Sequence, residues 1–240
     1  MPEGDALVRA ARRLQPLVGQ RVDVEAPNPR AAVKHIAERI DGRKLESVEA
    51  VGKNLLLRFD NGLTLRSHLR LKGRWWVQPR GREIHGSPWL VLRSPTHEAL
   101  LWHGPVLELA RDVQLHRLGP DILTGDLSAV RLHGLLGEAL QDQRQVAGIG
   151  NMWMNEACWH ARVSPWLRAE EADAQEVLAH ARALMQARLD GKRTRHAVYR
   201  RKNRPCPRCG EVVRSWPLGD AARMAYWCPG CQKGEGPAAR

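Results

Sequence analysis

Apolar positions along the chain change period twice. Between residues 5 and 15, Leu7, Ala10, Ala11 and Leu14 recur at helical spacing, with Arg9, Arg12 and Arg13 on the opposite face, which predicts an amphipathic helix. Pro16 and Gly19 end it. From about residue 20 to residue 110 the pattern turns to β. The runs "NLLLRFD" and "LTLRSHL" meet at Asn61-Gly62, a strong hairpin signal. "RWWVQP", "WLVLRS", "ALLWHG" and "PVLELA" follow as short strands, each closed by Gly, Pro or charge. This region is expected to form a β-sandwich or flattened barrel with the leading helix packed alongside. "HRLGPDILTGDLS" reads as a linker. Beyond it the helical period returns over residues 127–141, 151–160 and 170–190, the first two separated by "QRQVAGIG". The third carries acids early and Arg late, the polarity a helix dipole prefers. No internal repeat is visible.

Composition narrows the partners. The chain has 240 residues, enough for two or three small domains. Lys and Arg number 38 against 26 Asp and Glu, a net charge of +12. Such an excess favours polyanions, nucleic acid first and acidic membrane surfaces second, although an Arg-rich soluble protein shares it. No run resembles a transmembrane span or a secretory h-region, so no membrane partner is expected and a cytoplasmic, nucleoid-associated monomer is.

Four of the five cysteines form one pattern: Cys206 and Cys209 as C-x2-C, an 18-residue spacer, then Cys228 and Cys231 as a second C-x2-C. Two tight turns, each offering a pair of sulfurs, match a four-thiolate zinc site. Disulfides are the alternative, disfavoured in a chain without an export signal. Cys158, in "NEACWH", reads as a small buried apolar residue. Residues 192–208 carry eight Lys or Arg and no acid directly before and across the first cysteine pair, which makes a nucleic-acid-facing connector of them rather than a solvated tail.

Two further stretches carry chemistry. In "AGIGNMWMNEACW", Gly148-Ile149-Gly150-Asn151 precedes a helix, and Asn151 is a strong cap residue. Amides at such a terminus suit a phosphate, although a plain turn between core helices explains the same letters. The chain begins Met1-Pro2-Glu3. Pro2 and Glu3 are both favourable before a helix, yet removal of Met1 would also leave a secondary amine beside a carboxylic acid.

"PEG" at residues 2–4, "VGKNLLLRF" at 51–59, "SHLRLKGRW" at 67–75, "AGIGN" at 147–151 and the four-cysteine module occur in one order along essentially the whole chain. That order resembles the formamidopyrimidine-DNA glycosylase and endonuclease VIII family of base-excision repair enzymes. The resemblance implies an α+β multidomain fold: an N-terminal β-sandwich with a leading helix over residues 1–117, a helix–two-turn–helix domain over 118–203, a zinc-finger hairpin over 204–234 and a disordered tail over 235–240. It implies a bifunctional DNA glycosylase and abasic-site lyase acting on double-stranded DNA through a Schiff base and β,δ-elimination. Residue by residue, Pro2 matches the nucleophile, Glu3 the general acid/base and Lys53 the lysine at the sugar–phosphate, the alternative for Lys53 being a solvated loop lysine. Asn151 and Arg223 match the pair gripping the phosphate near the flipped nucleotide. Gly148 and Gly150 match the turn before it, and Glu156 matches an acidic residue of the helical domain at the DNA, the alternative being a structural carboxylate on the helix surface. Arg70, Leu71 and Lys72 stand where relatives insert side chains into the vacated duplex, the alternative being a hairpin leucine packed on the protein. One structural zinc ion is implied at the cysteines.

The chain also departs from the family. Relatives commonly carry a second Glu where this chain has Ala6; Asp5 beside it could substitute only in part, because one backbone step aims its carboxylate elsewhere. "PEG" is closer to the endonuclease VIII branch, and the stretch from the last long helix to Cys206 has no room for a loop capping oxidised purines, so oxidised pyrimidines are the expected bases. A non-catalytic abasic-site binder on the same scaffold is the alternative. A zinc-ribbon transcription or ribosomal factor leaves Pro2 and Glu3 without a role.

Overall fold

The computed structural model describes residues 2–234 with Gly236 and Pro237; Met1, Glu235 and residues 238–240, most of the expected tail, lie outside the described residues. The chain divides into two compact units, one ending at His116 and the other starting at Arg117.

The N-terminal unit opens on α1, Gly4–Leu14. Glu3 is extended (φ −117°, ψ −178°), and its carbonyl accepts the Ala6 N–H at 2.8 Å, which sets the helix start. The predicted apolar face is the buried one, with Leu7 and Leu14 fully inside. A 3-10 turn at Gln15–Leu17 contains Pro16 and leads to Gly19, whose φ of +82° turns the chain away from the helix.

The strands are β1 (Arg21–Glu25), β2 (Arg43–Val51), β3 (Asn54–Phe59), β4 (Thr64–His68), β5 (Arg74–Pro79), β6 (Leu90–Arg93), β7 (His97–Trp102) and β8 (Val106–Ala110), with single helical turns α2 (Pro29–Ala32) and α3 (Ala37–Ile40) between β1 and β2. All pair antiparallel in the order β5-β7-β6-β1-β2-β3-β4-β8. The two halves join at β1, which pairs with β2 through Arg21 and Val22 and with β6 through Asp23–Glu25. One core then takes Leu55, Leu57, Phe59 and Leu65 from one half, Leu90, Leu92, Leu101 and Trp75 from the other, and Leu7 and Leu14 from α1. Alternate residues of each strand supply it, as the pleat requires. The Asn61-Gly62 hairpin is present: Asn61 Oδ1 accepts the Leu63 N–H, and Gly62 takes φ +74°.

In the C-terminal unit, α4 (Leu136–Ala139), α5 (Asn151–His160) and α6 (Ala174–Leu189) precede the hairpin of β9 (Arg214–Leu218) and β10 (Arg223–Trp227). The helix expected over 127–141 shrinks to the single turn α4. Leu127, Val130 and Leu132 are buried as their spacing suggested, but on irregular chain. Gly134 turns at φ +89°, and the amides of His133 and Leu136 bond to Gln145 Oε1 and the Leu167 carbonyl instead of to a helix. The last helix starts at Ala174, where Asp173 accepts the Glu176 N–H as a side-chain cap. Leu218 and Ala225 of the hairpin share the core of α5 and α6.

Candidate functional site

Two groups of predicted residues take shape, one in each unit. In the N-terminal unit α1 packs on β2 and β3, the strands joined by the turn Gly52-Lys53. Gly52 takes φ +58° in a two-residue connection, the conformation such hairpins need at their first position. Lys53 is therefore no solvated loop lysine: it is 8% exposed, and Glu3 is 2% exposed. A hydrogen-bond chain fixes this turn. Glu108 Oε2 accepts from Arg66 Nη1 at 2.8 Å, Arg66 Nε donates to Asn54 Oδ1 at 2.9 Å, and Asn54 Nδ2 donates to the Val51 carbonyl at 3.2 Å. Pro2, partly exposed, Glu3 and Lys53 thus sit on elements that touch each other.

His68, at the end of β4, belongs to this group and was not singled out from sequence. Burial first, then the Arg70, Lys53 and Arg66 cations, hold its pKa down to about 4. Its Nδ1 accepts the Arg70 N–H at 3.1 Å, supporting Arg70 at a left-handed φ of +50°. The Gly73 N–H closes the same turn onto the Leu69 carbonyl at 2.8 Å, and a Cβ at Gly73 would press into the Leu69 backbone and stand 2.9 Å from the His103 carbonyl. A tight turn results, with Arg70, Leu71 and Lys72 exposed on it. Leu71 is 71% exposed, so it does not pack on the protein.

Asp5 does not stand in for a second catalytic carboxylate. It is buried, and its Oδ2 accepts from Arg9 Nη1 at 2.6 Å one helical turn on.

In the C-terminal unit β10 packs on α5. Asn151 is the first residue of α5 rather than its cap, which is Gly150, and its Nδ2 donates to the carbonyl of Met224 at 3.0 Å. That bond brings Asn151 beside Arg223, the preceding residue of β10. Arg223 is exposed, and its Nη1 donates to Gln141 Oε1 at 3.1 Å on the rim of a 360 Å³ cavity. Gly148 keeps the φ of +104° that demands glycine, but it is buried and its N–H donates to Gln143 Oε1 at 2.9 Å. Its amide is thus committed inside the protein and does not offer itself to a phosphate. Gly150 is likewise buried.

Glu156 also corrects its expected place at the DNA. It is 3% exposed, and its carboxylate accepts the backbone N–H groups of Ala197, Val198 and Tyr199 at 2.8, 3.1 and 2.8 Å. A buried carboxylate with three amide donors is an anchor; here it ties the basic connector to α5.

The sulfurs of Cys206, Cys209, Cys228 and Cys231 all lie within 4.8 Å of one another, with Cys206 to Cys231 at 3.8 Å and Cys209 to Cys228 at 3.4 Å. Sulfurs at the corners of a tetrahedron about 2.3 Å from a zinc ion stand about 3.8 Å apart, so the cluster fits one divalent cation. None of the five cysteines is in a disulfide. Burial pushes the Cys158 thiol up to about 12, consistent with an inert core residue.

The chain is similar to known proteins along its length. The family model of the formamidopyrimidine-DNA glycosylase N-terminal domain matches residues 1–104. A Streptomyces coelicolor protein described as a probable endonuclease 8 2 is 37% identical, over 99% of this chain and 96% of its own. Endonuclease 8 of Escherichia coli is 31% identical, over 97% of this chain and 100% of its own. Among solved structures, Lactococcus lactis Fpg in complex with abasic-site DNA matches with a TM-score of 0.81 at 20% identity, over 97% of this chain and 100% of that one. The same protein with oxidised-pyrimidine DNA matches at a TM-score of 0.83 and 20% identity, with the same coverage.

Two outcomes follow. Glu156→Gln turns an amide NH2 towards backbone donors, and urea unfolding should show a loss of about 1–3 kcal/mol. His68 has a lower pKa folded than its usual 6.5, so the unfolded chain binds its proton first and stability falls as pH drops from 6.5 to about 4. His68→Asn, which keeps an acceptor but does not titrate, should make that part of the unfolding profile shallower.

Proposed function

Because this chain belongs to the formamidopyrimidine-DNA glycosylase and endonuclease VIII family, the DNA glycosylases and abasic-site lyases of base-excision repair, we propose that Pro2 is its nucleophile and that oxidised pyrimidines such as thymine glycol and dihydrouracil are its bases. The observation that carries this reading is the burial of Glu3 and Lys53 at elements that touch, with Glu3 directly after Pro2, whose nitrogen becomes a secondary amine once Met1 is removed. Two ionisable side chains are withdrawn from water only at a cost, and a reaction site is one reason to retain them.

Once Met1 is removed, the Pro2 nitrogen has an α-amino pKa of about 8, against about 10.4 for a lysine, and is partly free base near neutrality. Its lone pair forms a bond to C1′ of the damaged nucleotide. The C1′–N bond to the base breaks, and the base departs with that electron pair and takes up a proton, balanced by the proton that the Pro2 nitrogen gives up on bonding to C1′. Glu3 delivers a proton to the sugar ring oxygen as the C1′–O bond opens, leaving an iminium ion between Pro2 and C1′. That cation draws electrons from C2′, so loss of a C2′ proton expels the 3′ phosphate, and a second elimination expels the 5′ phosphate. Water then hydrolyses the iminium and returns the amine. Lys53 holds the phosphate beside the sugar.

In the C-terminal unit Asn151 and Arg223 hold backbone phosphate, Arg223 as a guanidinium fork. Leu71 fills the gap in the stack while Arg70 and Lys72 address the orphaned base. The cysteine cluster holds one zinc ion, which four thiolates leave no open position for catalysis. The ion is structural and keeps the hairpin that carries Arg223. The short connector pinned on Glu156 supports the pyrimidine preference, and the protein acts as a monomer.

Borohydride reduction during incubation with abasic-site or thymine-glycol duplex should trap a covalent adduct, and Pro2→Gly should cripple its formation while duplex affinity stays nearly unchanged. Glu3→Gln should lower turnover by about 10²–10⁴-fold. Binding without any adduct from Met-free protein would identify a damage-binding protein instead. Arg223→Ala should weaken binding and flatten the slope of log K against log salt by about 1; equal affinity loss in Pro2→Gly and Arg223→Ala would contradict this division of roles.

A further inference from the structure

Trp159 lies in the last turn of α5 and is 8% exposed. Its indole Nε1–H donates to Cys206 Sγ at 3.4 Å, across 47 positions of sequence. The backbone N–H groups of Arg208 and Cys209 also face this sulfur, as the tight C-x2-C turn dictates. The indole is different in kind, because it reaches the sulfur from another element. Arg208, between the first two cysteines, completes the clasp: its guanidinium carbon stands 3.9 Å above the Trp159 ring, and its Nη1 donates to the Trp159 carbonyl at 3.1 Å. Trp159, Cys206 and Cys228 also share one small buried cluster with Ala197, Val198 and Val213.

Four thiolates around one divalent cation leave a net charge of about −2 in a small, partly buried hairpin. Such a centre needs N–H donors on its sulfurs and cations nearby, and groups that supply them orient the ligands and tune the metal. Trp159 supplies a donor and, through its ring, seats the cation of Arg208. We infer that Trp159 is a positioning residue of the metal centre, setting metal affinity through the Cys206 sulfur and locking the metal-bearing hairpin onto α5. The inference rests on the reading of the four cysteines as a metal site. Its consequence is local to this unit: the helix that carries Asn151 at its start is bound to the metal turn at its end, so metal loading stiffens the support of β10 and Arg223.

The test compares wild type with Trp159→Phe, which keeps a ring for Arg208 and removes only the N–H. Both proteins are stripped, loaded with Co²⁺, and titrated with Zn²⁺ against a chromophoric chelator. Trp159→Phe should bind Zn²⁺ about 10-fold more weakly, and its sulfur-to-cobalt charge-transfer band should move to lower energy, because an undonated thiolate gives up electrons more readily. Equal affinity within about twofold with an unshifted band overturns the inference. Failure of the wild-type protein to take up either ion overturns the metal reading instead. Should Trp159→Phe not fold, wild-type protein loaded with NMR-active cadmium serves: an indole proton coupled to cadmium through the Cys206 sulfur supports the inference, and its absence overturns it.

Discussion

In the proposed reaction an amine attacks carbon, which it does only through an unprotonated lone pair, and the arrangement of the N-terminal unit is consistent with this requirement. A lysine side chain is almost wholly protonated at neutral pH, whereas a terminal imino group is not. The fold accordingly separates two nitrogens. Pro2 leads α1 and stays partly exposed, while Lys53 is enclosed at a hairpin turn that Arg66, Asn54 and Glu108 hold in shape. His68, kept neutral at physiological pH by burial and by the surrounding cations, adds no positive charge next to Lys53. It spends its Nδ1 on the turn that displays Leu71. The cost of enclosing Glu3 and Lys53 is carried by a core to which both halves of the sheet and α1 contribute.

The C-terminal unit meets a different constraint. A hairpin of two short strands buries too little apolar surface to be stable alone. Here it is held from three directions by one helix. Asn151 bonds the backbone of β10, Glu156 collects three amides of the connector, and Trp159 reaches the sulfur of Cys206. The four clustered sulfurs can hold a metal ion, which would add the remaining constraint. The exposed cations of the connector and Arg223 are thereby mounted on rigid backbone, which suits an enzyme whose substrate is a polyanion.

Elements with a clean period were legible in the sequence. α1, the Asn61-Gly62 hairpin, the later strands and the start of α5 all stand close to where pattern and turn chemistry place them. The cysteine spacing likewise gave the cluster directly. Elements with mixed signals were less clear. β1 and β2 carry charges at alternate positions and are short of long apolar runs, and residues 127–135 bury apolar side chains without forming a helix. α5 defeated a surface reading for a plain reason: it is buried on every side from Trp153 to Trp159, so no polar stripe marks which residues face solvent. Glu156 therefore looked like a surface acid when it is an internal anchor. His68, Asn54 and Arg66 were invisible as a group because they meet only across strand pairing. Asp5, already one backbone step from the position of the missing carboxylate, is also occupied by Arg9, which the sequence did not show.

Pinpointing the covalent bond tests the account at its centre. After reduction on abasic-site duplex and digestion of both protein and DNA, tandem mass spectrometry should find the sugar remnant on the peptide that begins at Pro2, attached to its nitrogen. A remnant mapped to Lys53, or a peptide that still begins with Met1 in protein that forms the adduct, would contradict it.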